Sequence, residues 1–304
     1  MTLPYGVLGM RAMRKSQIDL PGAAGLLVIA TILAGNQIVM KLTATGLSPV
    51  FQAGVRSVLA FLVILGWVLL RGVRPGSFRR YFWPGVLLGV LFTAEFIGLY
   101  IALDLTAVSR ASIIFYTMPM FLSLGAHLLI PDDRLTPVKV AGLVCAFLGV
   151  AIVLSDRSGG EASLAGDLLA LMGSVCWAGI ALTVRVSRIS EAPPEAHQLW
   201  QLGVSALLLP ALAPLFGPLV RDFGAEHAWL MAYQVLLVAS FGFLFWFYLL
   251  KVYPASSVAS FAFLTPVLSV VMGWAILGER LHLSVLVSLA LVSAGIVLIN
   301  RRAR

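Results

Sequence analysis

Apolar stretches of roughly 20 residues follow one another along almost the whole chain, each long enough to cross about 30 Å of hydrocarbon as a helix rising about 1.5 Å per residue. In hydrocarbon a backbone must satisfy its own hydrogen bonds, so runs of this kind specify a bundle of membrane-spanning helices. Of 304 residues, 60% are hydrophobic and 11% charged, too little polar surface to coat a water-soluble globule. Charged residues and Pro/Gly punctuation divide the sequence into ten predicted helices: 21–42, 49–70, 82–103, 109–129, 137–155, 164–184, 195–215, 229–250, 255–276 and 284–300. Their connections are short and leave no room for a soluble insert. Arg11, Arg14 and Lys15 precede the first run as in a signal peptide. Its length and the lack of a small-residue cleavage site make it an uncleaved first span instead. Cys145 and Cys176 lie inside apolar runs and read as buried small residues, not as a disulfide.

The net charge of +8 would suggest nucleic acid in a soluble protein, but here Lys and Arg gather at the ends of apolar runs, and no nucleic-acid partner is expected. Apart from Arg56, which lies within a run, fifteen of the 21 Lys and Arg fall on the side of the amino terminus and five on the other: Lys41, Arg110, Arg157, Arg221 and Arg280. The excess predicts both termini in the cytoplasm.

Sliding the chain against itself by about 144 to 147 residues aligns Gly35 with Gly179, Lys41 with Arg185 and Pro49 with Pro193. It also aligns Pro119 with Pro266, Asp133-Arg134 with Glu279-Arg280, and Gly149 with Gly295. The reading is a duplication, with residues 1–157 as a first five-helix repeat and 158–304 as a second. Five is odd, so the second copy enters the membrane from the opposite side, and two inverted halves favour transport by alternating access.

The aligned residues carry a family resemblance over nearly the whole chain. Gly35-Asn36 followed by Lys41, Pro49 and Arg56, the run Tyr100-Ile101-Ala102-Leu103, Pro119, and Gly278-Glu279-Arg280-Leu281 resemble the EamA-type drug/metabolite transporter superfamily. Within it the chain looks most like bacterial amino-acid exporters of the YddG kind. It departs at Ala34, where many relatives carry Trp before Gly-Asn, while the second half keeps Trp177. The resemblance implies an all-α integral membrane fold of ten helices in the bacterial inner membrane. It further implies export of amino acids, aromatic ones among them, or of similar metabolites, through a cavity between the repeats. Monomer and homodimer both suit it, and the partners are the small substrate and the lipid bilayer.

Polar side chains in hydrocarbon are expensive and usually face a cavity or another helix. Glu95, in the middle of the third run, suits a proton-coupling group or an ammonium partner, or else a glutamate locking two helices. Arg56 suits a substrate carboxylate, or else snorkels outward or pairs with Glu95. Neither has a charged counterpart, since Gly242 and Trp200 occupy the aligned positions. Asn36 and Gln37 offer uncharged donors and acceptors to a zwitterion, or act as interhelical glue. Gln201 is taken as the deepest residue of a polar stripe with His197 or Gln198 and Ser205. Ser112 and Tyr116 on the fourth run and Ser260 on the ninth are further cavity candidates, with Tyr100 and Trp177 as aromatic walls. Pro119 and Pro266 are expected to be matched hinges, because proline frees a backbone carbonyl and permits a bend.

Other chemistry finds little support. The four histidines lack ligand spacing, so no metal site is expected, and no phosphate-binding Gly-rich loop occurs. No catalytic constellation or cofactor is expected either. A nucleotide-sugar carrier would want several cations where the chain offers mainly Arg56. An importer, and an integral-membrane enzyme or lipid-handling scaffold, stay as the rival readings.

Overall fold

A computed structural model of the protein describes residues 18–72, 78–131, 133–157, 162–253 and 261–300. Twelve α-helices carry the described chain: α1 (Leu20–Thr43), α2 (Pro49–Leu70), α3 (Phe78–Leu105), α4 (Val108–Phe115), α5 (Met118–Leu129), α6 (Pro137–Ser155), α7 (Leu164–Val186), α8 (Pro194–Leu212), α9 (Ala225–Ala232), α10 (Phe243–Val252), α11 (Leu264–Leu277) and α12 (Leu283–Asn300). Their starts are written locally. Asp19 accepts a hydrogen bond from the Gly22 amide at 3.0 Å, Thr136 from Lys139, and Ser163 from Gly166. Each cap supplies an acceptor to a first-turn N–H that has no partner within its helix.

Two departures from regular helix matter. Pro119 has no N–H to give the Phe115 carbonyl, so α4 stops at Phe115, and the Thr117 hydroxyl turns back to the Ile114 carbonyl at 2.6 Å. The predicted run 109–129 is therefore two helices meeting at Tyr116-Thr117. Between α9 and α10 the helix widens into a π-helix over Tyr233–Gly242, where the Ser240 hydroxyl reaches the Val235 carbonyl five residues back at 2.8 Å.

Among the described residues eight helical runs are long and apolar enough to cross a membrane, with Val108–Leu129 counted as one, and α11 is a shorter apolar helix. The remaining two of the ten expected helices fall on the π-interrupted stretch Ala225 to Val252 and on α11, whose predicted start at 255 lies outside the described residues.

α3 packs along α7 and α8, α2 along α8, α1 against α11 and the π-helix, and α6 along α12. The last pair approaches closely. A Cβ added at Gly142 of α6 would sit 2.9 Å from the Gly295 carbonyl oxygen of α12, and one at Gly149 would sit 2.9 Å from that of Ser288. Small residues let the two backbones touch, which is how helices gain contact where lipid offers no hydrophobic drive. At the α3–α7 seam a Cβ on Gly173 would lie 3.2 Å from the Glu95 carbonyl oxygen; between the π-helix and α1, one on Gly242 would lie 3.5 Å from Ile29 Cδ1.

Candidate functional site

On α2, Gln52 and Arg56 stand one turn apart on the face turned inward. The Arg56 side chain is buried, with its guanidinium 4.7 Å from the centre of the Phe96 ring. Phe92, Phe96 and Tyr100 form a stack along α3, with centroids 4.1 and 5.5 Å apart. Arg56 lies near the Tyr100 hydroxyl and the buried Glu95, yet no ion pair within 4.0 Å joins it to that carboxylate. Its Nε and Nη1 are buried without a hydrogen-bond partner among the described residues. A cation in this position costs several kcal/mol unless something else pairs with it.

Beside it runs a hydrogen-bonded network centred on Gln234, which the π-helix carries inward. The Gln234 Oε1 accepts from the Tyr100 hydroxyl at 3.0 Å and from Gln52 Nε2 at 3.3 Å. Its Nε2 donates to the Thr43 hydroxyl at 3.1 Å. One fully buried amide thus ties α1, α2 and α3 to the second half of the chain. Gln52 Oε1 stays unpartnered.

On the α4–α7 side, Phe115 stacks on Trp177 at 5.1 Å and 16°, and Tyr116 meets Trp177 edge-on at 5.6 Å. The Tyr116 hydroxyl lies near Thr265 of α11, and Glu95 is a neighbour of both Tyr116 and Cys176. The arrangement combines an unpaired cation, a separate carboxylate, neutral acceptors and aromatic surface.

Of the residues singled out in the sequence, Arg56, Glu95, Tyr100, Tyr116 and Trp177 belong to this region. Asn36 Nδ2 points at Met40 Sδ, 3.1 Å away, while its Oδ1 and the buried Gln37 Oε1 have no partner. Ser112 is fully buried with its hydroxyl unpartnered. Gln201 is partly buried, and Gln198 and Ser205 are the buried residues of its stripe. Ser260 lies outside the described residues. Pro119 opens α5 and Pro266 is buried in the first turn of α11. Arg56 neither snorkels nor forms an ion pair with Glu95. Gln52, Gln234 and Thr43 went unnoticed, although an amide inside an apolar run is the same signal that picked out Asn36 and Gln37.

The model of the EamA-like transporter family matches the chain twice, over residues 20–155 and 164–301. The chain belongs to the EamA-like transporter family. An EamA-like chain is an integral, multi-pass membrane transporter, and its relatives carry transporter names, consistent with a protein that is not an enzyme. The chain is 27% identical to the uncharacterized transporter YvbV of Bacillus subtilis, over 95% of this chain and 94% of that one. It is 25% identical to the uncharacterized inner membrane transporter YedA of Escherichia coli K12, over 95% and 93%. A solved crystal structure shares the EamA-like fold at a TM-score of 0.62 and 21% identity, covering 92% of this chain and 98% of the other.

Proposed function

We propose that the protein exports amino acids, aromatic ones among them, or closely similar zwitterions, by alternating access. The observation that carries this reading is Arg56, a buried cation with two unpartnered nitrogens, set apart from the buried Glu95 instead of joined to it. A carboxylate docks on the guanidinium with charge-assisted hydrogen bonds, an ammonium docks on Glu95, and the side chain lies against Tyr116 and Trp177. Asn36, Gln37 and Gln52 supply the remaining acceptors.

In this reading residues 1–157 and 158–304 are inverted repeats of five spans, with both termini cytoplasmic. The packing supports the duplication. Under the repeat offset the Gly142–Gly295 approach becomes the Ser288–Gly149 approach, and the Glu95–Gly173 approach becomes that of Gly242 and Ile29. Contacts that exchange in this way are what a pseudo-two-fold relation between halves requires.

The test is thermal unfolding of the purified protein with phenylalanine, its methyl ester or its N-acetyl derivative. A ligand that binds only the folded state raises the midpoint by about 2–4 °C per kcal/mol of linkage. Free amino acid stabilises the protein, both derivatives lose the effect, and Arg56→Ala abolishes it. An ester that stabilises as well as the parent removes the carboxylate from the site.

A further inference from the structure

The two ends of the bundle are held differently. At the end where α3 meets α4, links between the halves are dense and partly buried. Glu279, just past α11, reaches the first turn of α4: Oε1 accepts from the Val108 amide at 2.6 Å and Oε2 from the Ser109 amide at 3.0 Å. Those amides are helix-start donors without partners in α4, at the positive end of its dipole. Gly278 ends α11 at φ +70, a left-handed turn that aims Glu279 back into the bundle. A Cβ on Gly273 would lie 2.7 Å from Glu279 Oε2, so the carboxylate occupies space that the glycine leaves free. Beside it Arg221 grips Asp104 with two 2.8 Å bonds, which raises the guanidinium pKa further, and Asp167 holds Arg110 at 2.7 Å and Arg157 at 2.8 Å.

The opposite end has the residue that the repeat pairs with Glu279, namely Asp133. Its side chain is 31% exposed; it bonds Lys139 of its own half at 2.5 Å and reaches Arg185 of the other half only at 3.4 Å. A cavity of about 100 Å³ opens beside it, lined in part by Pro119, Ser123, Arg185 and Asn300. The same repeat position thus carries a carboxylate at both ends, buried and bonded across the halves at one, about a third exposed and held mainly by its own half at the other.

We propose that Glu279 and Asp133 are paired latches engaged in alternation. Glu279 seals its end by capping α4, and Asp133 closes on Arg185 across the halves when Glu279 lets go. This rests on the alternating-access reading above. It assigns Glu279 a role in the conformational cycle distinct from substrate contact.

The experiment uses full-length protein with Cys145→Ala and Cys176→Ala, and one reporter at a time. Ala111→Cys stands one turn behind the Glu279 latch, where the native side chain is fully buried, and Ser123→Cys lines the Asp133 cavity. A membrane-impermeant maleimide is applied to each face in turn. Loss of two charge-assisted bonds shifts the population enough that Glu279→Gln and Glu279→Ala raise labelling of Ala111→Cys from the Glu279 face by about tenfold. Asp133→Asn lowers it and speeds labelling of Ser123→Cys from the other face. Unchanged labelling in Glu279→Gln, with the unfolding midpoint of the parent, overturns the proposal, as does an equal rise in Asp133→Asn, which would mean general loosening. Labelling needs no substrate, so failure of the amino-acid assignment leaves this result standing. Counterflow with unaltered labelling discards the latches alone.

Discussion

Arg56 is a cost that the fold does not recover from its own residues. The guanidinium gains one aromatic face, but Nε and Nη1 have no hydrogen-bond partner among the described residues. Replacing an uncompensated buried charge by an apolar side chain of similar length is stabilising, whereas removing a brace is destabilising. Arg56→Met is therefore expected to raise unfolding stability by about 2 kcal/mol while abolishing substrate stabilisation and transport. Denaturation in detergent checks this, and a lowered midpoint would make Arg56 a structural brace. At this scale charges were legible in the sequence, because Arg56 and Glu95 stand out in apolar runs. Amides were legible only in part. Gln234 was hidden because its inward direction depends on the π-helix.

Helix boundaries followed from the apolar runs and their caps, as for α2 at Pro49–Leu70 and α6 at Pro137–Ser155, where expectation and structure coincide. What composition did not reveal was backbone geometry within a run. An apolar segment reads alike as α- or π-helix, so Tyr233–Gly242 was expected to be ordinary helix, and Pro119 was expected to bend a helix that it in fact divides. The small residues of α6, Gly142, Ala146 and Gly149, have partners on α12 that make a specific expectation. A Cβ at Gly295 would already lie 2.7 Å from the Gly142 carbonyl oxygen and 2.9 Å from the Ala146 Cβ, so Gly295→Leu must push the helices apart. The expected loss is about 1–3 kcal/mol in unfolding free energy. Gly66→Leu, at a glycine with no neighbour in its path, is the control and should be near neutral. Equal effects would mean that the α6–α12 approach is not a tight seam.

For the whole molecule, the proposed duplication rests in the sequence on matching punctuation: Pro49 with Pro193, Gly149 with Gly295, Asp133 with Glu279. The matching of the family model to both halves agrees with it. The links that close one end were not visible, since Arg110–Asp167 and Arg221–Asp104 join residues 57 and 117 positions apart. Pairing at such separations is decided by the packing of α3, α4 and α7, not by local pattern. The proposed binding groups belong mainly to the first half, while Trp177 and Gln234 come from the second, so a solute held among them would contact both halves at once. That placement makes transport the central claim. Its most direct test is counterflow of labelled phenylalanine into liposomes that contain the purified protein and are preloaded with unlabelled amino acid. The account predicts saturable uptake that Arg56→Ala abolishes with the protein still folded. Absence of uptake across amino acids, or full uptake in Arg56→Ala, would contradict it.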